Sequence, residues 1–145
     1  MKILSKSVAE TAKIAQDFGG GLKELKKNRA VVVGLFGDLG SGKTTFTQAL
    51  GRHLNIGTAM TSPTFVIEKR YDLDGKFGFK KLIHIDAYRL ASGNEILKLN
   101  FQEDLNNSDN LILIEWPERV EGALTDDILR VNFKFISEFE REIEI

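Results

Sequence analysis

The chain of 145 residues contains no cysteine, and its acidic and basic residues almost balance. Without cysteine, disulfide bonds, thiolate nucleophiles and Cys-based zinc sites are excluded. A net charge of −1 provides no basic surplus of the kind that attracts nucleic acid, so direct binding of RNA is not expected. The one basic cluster, KELKKNR at residues 23–29, is typical of a solvated helix end.

Long apolar runs are missing as well. No stretch approaches the length needed to span a membrane, and charged residues interrupt positions 1–16, where a signal peptide would need an apolar core. We therefore expect a cytoplasmic protein with no membrane partner. The remaining composition, 42% hydrophobic and 28% charged, is that of a globular protein, and no repeat or linker divides residues 1–145, so a single domain is expected.

What the chain does contain is a glycine-rich stretch, GLFGDLGSGKTTFTQAL, at residues 34–50. Residues 37–44 match the pattern G-x-x-x-x-G-K-S/T of phosphate-binding loops. In such loops the glycines allow backbone N–H groups to surround an anion, the lysine reaches the β- and γ-phosphates, and the last hydroxyl binds Mg²⁺. Lys43 and Thr44 are therefore predicted to hold a nucleoside triphosphate and its metal. The predicted nucleotide-binding residues here are Gly37, Asp38, Leu39, Gly40, Ser41, Gly42, Lys43, Thr44 and Thr45.

The sequence on both sides of this stretch fits the same interpretation. AVVVGLF, residues 30–36, is a continuous apolar run that predicts a buried parallel strand. KTTFTQALGRHL, residues 43–54, predicts a helix with a regular apolar face. A strand, a glycine loop and a helix in this order favour a genuine phosphate-binding loop over an ordinary glycine-rich turn. The residues of the apolar helix face are Phe46, Ala49, Leu50 and Leu54.

Two capping-box patterns predict further helices. SVAE, residues 7–10, should open a helix that ends at the glycines of residues 19–21. SGNE, residues 92–95, should open another that runs to about Leu99. The buried face expected for the first helix consists of Val8, Thr11, Ala12, Ala15 and Phe18.

Strand patterns account for most of the remaining sequence. Strands ending near Tyr71 and covering residues 76–86 are joined by DLDG, residues 72–75, which predicts a hairpin turn. LILIE, residues 111–115, predicts another buried strand, and residues 128–145 predict an antiparallel pair. We therefore predict an α/β fold of the P-loop NTPase type, a single nucleotide-binding domain with a mixed, mostly parallel sheet flanked by helices and an inserted antiparallel hairpin.

Two acidic residues end predicted buried strands. Asp86 ends LIHID and Glu115 ends LILIE, and ligands of open α/β sheets bind at the carboxyl ends of the strands. A carboxylate there can hold Mg²⁺ directly or through water, and from the residues alone either acid could be the direct ligand. A solvated strand end is the alternative for each acid taken singly. Because an aromatic residue follows both acids closely, the repeated arrangement favours a site.

The segment TSPTF, residues 61–65, has two interpretations. Its hydroxyl groups surround a proline that fixes the backbone, so it could be a switch loop that a γ-phosphate orders. A plain turn into a strand is the alternative. The candidate switch residues are Thr61, Ser62, Pro63 and Thr64.

Three other side chains have less certain roles on sequence alone. Trp116, the single tryptophan, is either a core residue or a platform near the nucleotide. His53 and His84 lie beside apolar residues, so packing or surface roles are expected for them rather than catalysis.

Besides ATP hydrolysis, three other functions are possible for a chain with a phosphate-binding loop. A small-molecule kinase usually needs a lid with several arginines, and those after residue 60 are few and scattered. A GTPase needs an Asn-Lys-x-Asp guanine-binding motif, which is absent. A non-catalytic, nucleotide-gated binding module stays open as an alternative. The scattered arginines are Arg70, Arg89, Arg119, Arg130 and Arg141.

The segments GDLGSGKTTF, TSPTF, HIDAYRL and IEWPE occur in the order and spacing of a known family. With them the chain resembles the bacterial TsaE (YjeE) family of small P-loop ATPases in tRNA threonylcarbamoyladenosine biosynthesis. The resemblance implies slow hydrolysis of ATP with Mg²⁺, in support of threonylcarbamoyl transfer to adenosine 37 of tRNAs that read codons beginning with A. The partners TsaB and TsaD would perform the transfer, so tRNA would be contacted only through that complex. The isolated chain is expected to be a monomer.

The resemblance also implies roles for individual residues. Residues 37–44 would hold the phosphates, with Lys43 and Asp86 as the catalytic residues. Thr44 and Glu115 would be the metal ligands. The remaining two implied nucleotide contacts are Thr11, near the adenine, and Trp116, at the edge of the site.

Overall fold

The computed structural model describes residues 1–58, 60–61 and 67–145. Within these ranges the chain forms seven strands, four α-helices and two 3-10 helices. The strands are β1 (Lys2–Ser5), β2 (Val31–Phe36), β3 (Glu68–Asp72), β4 (Lys81–Asp86), β5 (Asn110–Glu115), β6 (Leu129–Phe135) and β7 (Arg141–Glu144). The α-helices are α1 (Val8–Gly21), α2 (Lys43–His53), α3 (Gly93–Leu97) and α4 (Phe101–Leu105), and the 3-10 helices cover Leu22–Leu25 and Pro117–Ala123.

All seven strands belong to one sheet in the order β1-β7-β6-β2-β5-β4-β3. The four central strands, β6, β2, β5 and β4, run parallel. Antiparallel strands flank them, β3 on one side and β7 followed by β1 on the other. The predicted α/β class, a mixed sheet with helices and an antiparallel hairpin, is confirmed.

Continuous apolar runs form the centre of the sheet because helices cover both of its faces. All six residues of β5 are buried, as are the first five of β2. Alternate side chains therefore enter two cores. Val33 and Leu113 pack with α1 and α2 on one face, whereas Val32 and Ile112 pack with α3 and α4 on the other. No helix in the described part of the chain is long and apolar enough to cross a membrane.

Helix α1 begins and ends where the sequence predicted, but one residue of its predicted buried face is exposed. Its N-cap is as expected, since Ser7 Oγ accepts a hydrogen bond from Glu10 N at 3.1 Å. Val8, however, is 62% exposed rather than buried. The helix ends at Gly21, the last of the three glycines predicted to end it, and a 3-10 helix follows directly. A Cβ on Gly19 would lie 2.7 Å from Leu50 Cδ1, so this glycine allows α1 to approach α2 closely.

The β3–β4 connection is longer than the predicted turn. Strand β4 begins at Lys81 rather than near residue 76, and residues 73–80 form the connection. Gly75 has the positive φ of 82° that the Asp-Gly pair predicted. Within this connection Phe79 is buried in the core and Phe77 packs against the core. Strand β1 and helix α4 were not predicted.

Candidate functional site

The glycine loop (residues 37–42) connects β2 directly to α2. Three of its glycines have positive φ angles, 142° at Gly37, 76° at Gly40 and 106° at Gly42. A Cβ on Gly37 would lie 2.5 Å from the carbonyl oxygen of Phe133, so no larger residue fits there. The strand, loop and helix that the sequence predicted are therefore present, and a loop of this kind before a helix N-terminus can bind a phosphate group.

Lys43, the first residue of α2, points its ammonium group into the glycine loop. The side chain is buried, and Nζ donates a hydrogen bond to the carbonyl oxygen of Gly37. Nζ also lies 4.2 Å from the centroid of the Trp116 ring. Burial lowers the pKa of Lys43, and nearby carboxylates, Glu115 first among them, oppose that shift. A bound anion would favour the charged form further.

The strand-end acids, Asp86 and Glu115, lie side by side. They are in register on the parallel neighbours β4 and β5, and both are buried. Asp86 Oδ1 accepts a hydrogen bond from Tyr88 N at 2.9 Å. Glu115 Oε2 lies 3.1 Å from His84 Nε2. Two carboxylates thus meet at the carboxyl edge of the sheet, as the sequence predicted.

The glycine loop and the strand-end acids face one cleft of about 660 Å³. This volume is in the range of small-molecule binding sites. Apart from Lys43 and the acids, the lining includes the exposed hydroxyl residue Thr44. The complete lining is Val8, Leu39, Gly40, Gly42, Lys43, Thr44, Thr45, Asp86, Tyr88, Glu115, Trp116 and Arg141.

The oxygen donors at the cleft suit Mg²⁺ bound together with phosphates. Mg²⁺ in nucleotide sites keeps several waters and takes only one or two carboxylates from the protein. Thr44, Asp86 and Glu115 offer one hydroxyl and two carboxylates on the same cleft. Among the described residues, no three His, Cys, Asp or Glu side chains group into a metal site. In a complex with a nucleotide, phosphate oxygens and waters would supply the remaining ligands.

Comparison with known proteins assigns the family. The model of a family described as "Threonylcarbamoyl adenosine biosynthesis protein TsaE" matches residues 5–143. The chain belongs to the TsaE family. It is 42% identical over 117 residues to a "tRNA threonylcarbamoyladenosine biosynthesis protein TsaE" of Streptomyces coelicolor, which covers 81% of this chain and 76% of the relative.

Two further comparisons extend over nearly the whole chain. A protein of Treponema pallidum with the same name is 32% identical over 145 residues, covering 100% of this chain and 99% of the relative. The fold is similar to the crystal structure of YdiB from Bacillus subtilis, with a TM-score of 0.73 and 30% identity, covering 99% of this chain and 82% of that one.

The structure brings most, but not all, of the predicted TsaE-type site residues to the cleft. Thr11 is fully buried, and its hydroxyl bonds to Ser5 Oγ at 2.8 Å, so it does not line the cleft. Val8, one turn earlier on α1, lines it instead. Within the glycine loop, Asp38 is exposed and its carbonyl accepts from Ser41 N at 3.2 Å. Ser41 itself is buried.

The candidate switch loop is described only at its first residue. Ser62, Pro63 and Thr64 lie outside the described residues. Thr61 Oγ1 accepts a hydrogen bond from Lys69 Nζ. Thr61 also lines a small pocket next to Thr44 that reaches Glu115, so the segment starts beside the predicted metal ligands.

Sequence analysis did not assign two side chains that the fold places at the site. His84 was expected to pack, yet it contacts Glu115. Its position two residues before Asp86 was a signal, because alternate residues of a strand share a face. Arg141 was counted among scattered arginines, yet it lines the cleft, and a Cβ on Gly42 would lie 2.7 Å from its Cδ.

Proposed function

We propose that this chain is a small P-loop ATPase that binds ATP with Mg²⁺ and hydrolyses it slowly. Its role is to support N6-threonylcarbamoylation of adenosine 37 in tRNAs reading ANN codons. The observation that carries the proposal is one arrangement, in which Lys43 lies inside the glycine loop and faces the paired acids Asp86 and Glu115. The biosynthetic role rests on membership of the TsaE family.

Each polar group at the cleft has a distinct task in this proposal. The glycine loop and Lys43 hold the β- and γ-phosphates, and the N-terminus of α2 adds a favourable dipole. Thr44 and Glu115 hold Mg²⁺, which neutralises part of the phosphate charge. Asp86 accepts a hydrogen bond from the attacking water and thereby orients it. Trp116 and Val8 border the nucleotide.

The charge and size of the chain support dependence on partners. One domain with a net charge of −1 offers little affinity for tRNA at physiological salt. Arg141 is the one arginine among the described residues that lines the cleft, whereas kinases close a lid bearing several. We infer that TsaB and TsaD respond to the nucleotide bound to this chain and perform the threonylcarbamoyl transfer. A partner could also stabilise the transition state in trans.

The first test measures ATP turnover and tRNA modification in parallel. We expect slow hydrolysis by the chain alone and no modification of tRNA. Adding the TsaB–TsaD complex should raise turnover at least about tenfold, because one added donor to the transition state is worth on the order of 10²-fold. Fast turnover that partners leave unchanged would support a self-sufficient enzyme. Binding without turnover, even with partners, would support the nucleotide-gated module.

Trp116 should report nucleotide binding through its fluorescence. The indole contacts Lys43 and lies 5.1 Å from the Tyr88 ring, and it is the single tryptophan of the chain. A phosphate that draws Nζ away from the ring should change the emission. The measurement is a titration with ATP and Mg²⁺, with Trp116→Phe as the blank. Constant emission while calorimetry records saturation would show that the bound nucleotide does not change the surroundings of the indole.

A further inference from the structure

His84 and Glu115 form a diagonal pair on the face of the sheet that α2 covers. In the parallel register, His84 lies opposite Leu113 and Asp86 lies opposite Glu115. Because alternate strand residues share a face, all four side chains are on the same side. Leu113 belongs to the core beneath α2, so the imidazole stands one row inside the strand-end acids.

The contact between the two side chains is a buried hydrogen bond. His84 Nε2 lies 3.1 Å from Glu115 Oε2, and the side chains are only 2% and 7% exposed. When the Glu115 carboxylate is ionised it can only accept hydrogen bonds, and Nε2–H of His84 is then the donor. Without such a donor, a buried carboxylate loses part of its solvation and gains alternative rotamers.

Packing alone does not account for a histidine at this position. Nδ1 of His84 is buried and has no hydrogen-bond partner among the described residues. Leaving a polar atom unpaired in a core is unfavourable, and an aliphatic side chain would avoid it. Among the described residues, the polar contact of His84 is therefore with Glu115, and the benefit of the imidazole there lies in what it does to that carboxylate.

We propose that His84 is a positioning residue, which fixes the orientation of the Glu115 carboxylate for Mg²⁺ beside Thr44. Both Thr44 and Glu115 line the small pocket to which His84 also belongs. Hydrogen bonds to a ligating side chain preorganise it, and their loss typically costs 10- to 100-fold in metal affinity. The inference rests on the proposed Mg²⁺-dependent nucleotide binding.

The test compares variants that keep or remove the donor. In His84→Gln the amide nitrogen can take the place of Nε2, whereas His84→Leu fills the space without donating. Apparent Mg²⁺ affinity is measured by calorimetry at saturating ADP, and ADP affinity is measured again in EDTA. We expect His84→Leu to weaken Mg²⁺ about tenfold or more, with ADP affinity in EDTA within about twofold. His84→Gln should recover most of the loss.

A double-mutant cycle separates positioning from a general structural effect. In a Glu115→Gln background, His84→Leu should cause no further loss of Mg²⁺ affinity. Should His84→Leu fail to fold in a thermal melt, His84→Asn replaces it, because its shorter amide matches Nδ1 and does not reach Oε2. Unchanged Mg²⁺ affinity in the donor-free variant, or losses that add in the cycle, would overturn the positioning role alone. A wild-type chain whose ADP binding does not respond to Mg²⁺ would overturn the proposed function with it.

Discussion

Replacing Lys43 with alanine should weaken ATP binding about a hundredfold or more. The ammonium group lies inside the glycine loop, where it would make charge-assisted hydrogen bonds to two phosphates, each worth roughly 1.5–3 kcal/mol. No other lysine lines the cleft in the described part of the chain, so none is placed to replace it. Calorimetry with ATP and Mg²⁺ gives the affinity. A saturating ligand should also stabilise the wild-type fold by about 2.7 kcal/mol at a hundred times its Kd.

The unliganded Lys43→Ala variant should be at least as stable as the wild type. Burial lowers the pKa of Lys43, so folding disfavours its protonated form. That cost is present below the folded-state pKa and disappears as the pH rises above the unfolded-state pKa, so alanine relieves it at neutral pH. Loss of binding with a normal melting temperature would therefore reflect the site rather than unfolding.

Lys13→Ala is the matched control for this experiment. Its ammonium group makes an exposed ion pair with Asp17 at 3.4 Å, on the helix α1, and such pairs contribute little. ATP affinity should be unchanged in this variant. If Lys43→Ala retains wild-type affinity as Lys13→Ala does, the glycine loop does not bind phosphate through its lysine.

The centre of the fold was predictable because its signals are local. A strand buried on both faces appears in the sequence as an unbroken apolar run, which is the case for β2 and β5. The pattern of glycines between β2 and α2 identified the phosphate-binding loop. Asp86 and Glu115 could be paired because both end parallel strands, and the carboxyl ends of parallel strands meet at one edge.

The parts that were missed depend on contacts distant in sequence. Strand β1 exists because it pairs with β7, joining Lys2 to Glu144, and no local pattern encodes that pairing. Arg141 is the first residue of β7, so its position beside Gly42 also depends on how the sheet is assembled. Helix α4 has five residues, too few for a helical period to be recognised.

The misassigned residues of α1 show a limit of periodicity. The pattern identified an apolar face that includes Thr11 and Ala15, both fully buried. It could not show that the first turn projects beyond the core, where Val8 meets the cleft. The contact of His84 with Glu115 was not predicted for a different reason, since it depends on the register between β4 and β5.

The last prediction separates the two strand-end acids by amide substitution. Asp86→Asn should lower ATP turnover by on the order of 10²-fold, the cost expected when the attacking water loses the carboxylate that orients it. The affinity for ATP with Mg²⁺ should stay within about threefold. Asparagine keeps an oxygen that can accept from Tyr88 N, as Asp86 Oδ1 does at 2.9 Å, so the strand end should keep its shape.

Glu115→Gln should show the opposite pattern. The substitution removes the negative charge of the carboxylate that we propose binds Mg²⁺. Nucleotide affinity should therefore fall in the presence of Mg²⁺ and stay nearly unchanged in EDTA. Turnover is measured with the partner complex present, and kcat and KM are separated, because a binding defect and a chemical defect affect them differently. Glu118→Gln is the control, since this exposed carboxylate influences the pKa of Lys43 without lining the cleft. Equal, small effects at Asp86 and Glu115 would contradict the assignment, and exchanged effects would make Asp86 the metal ligand.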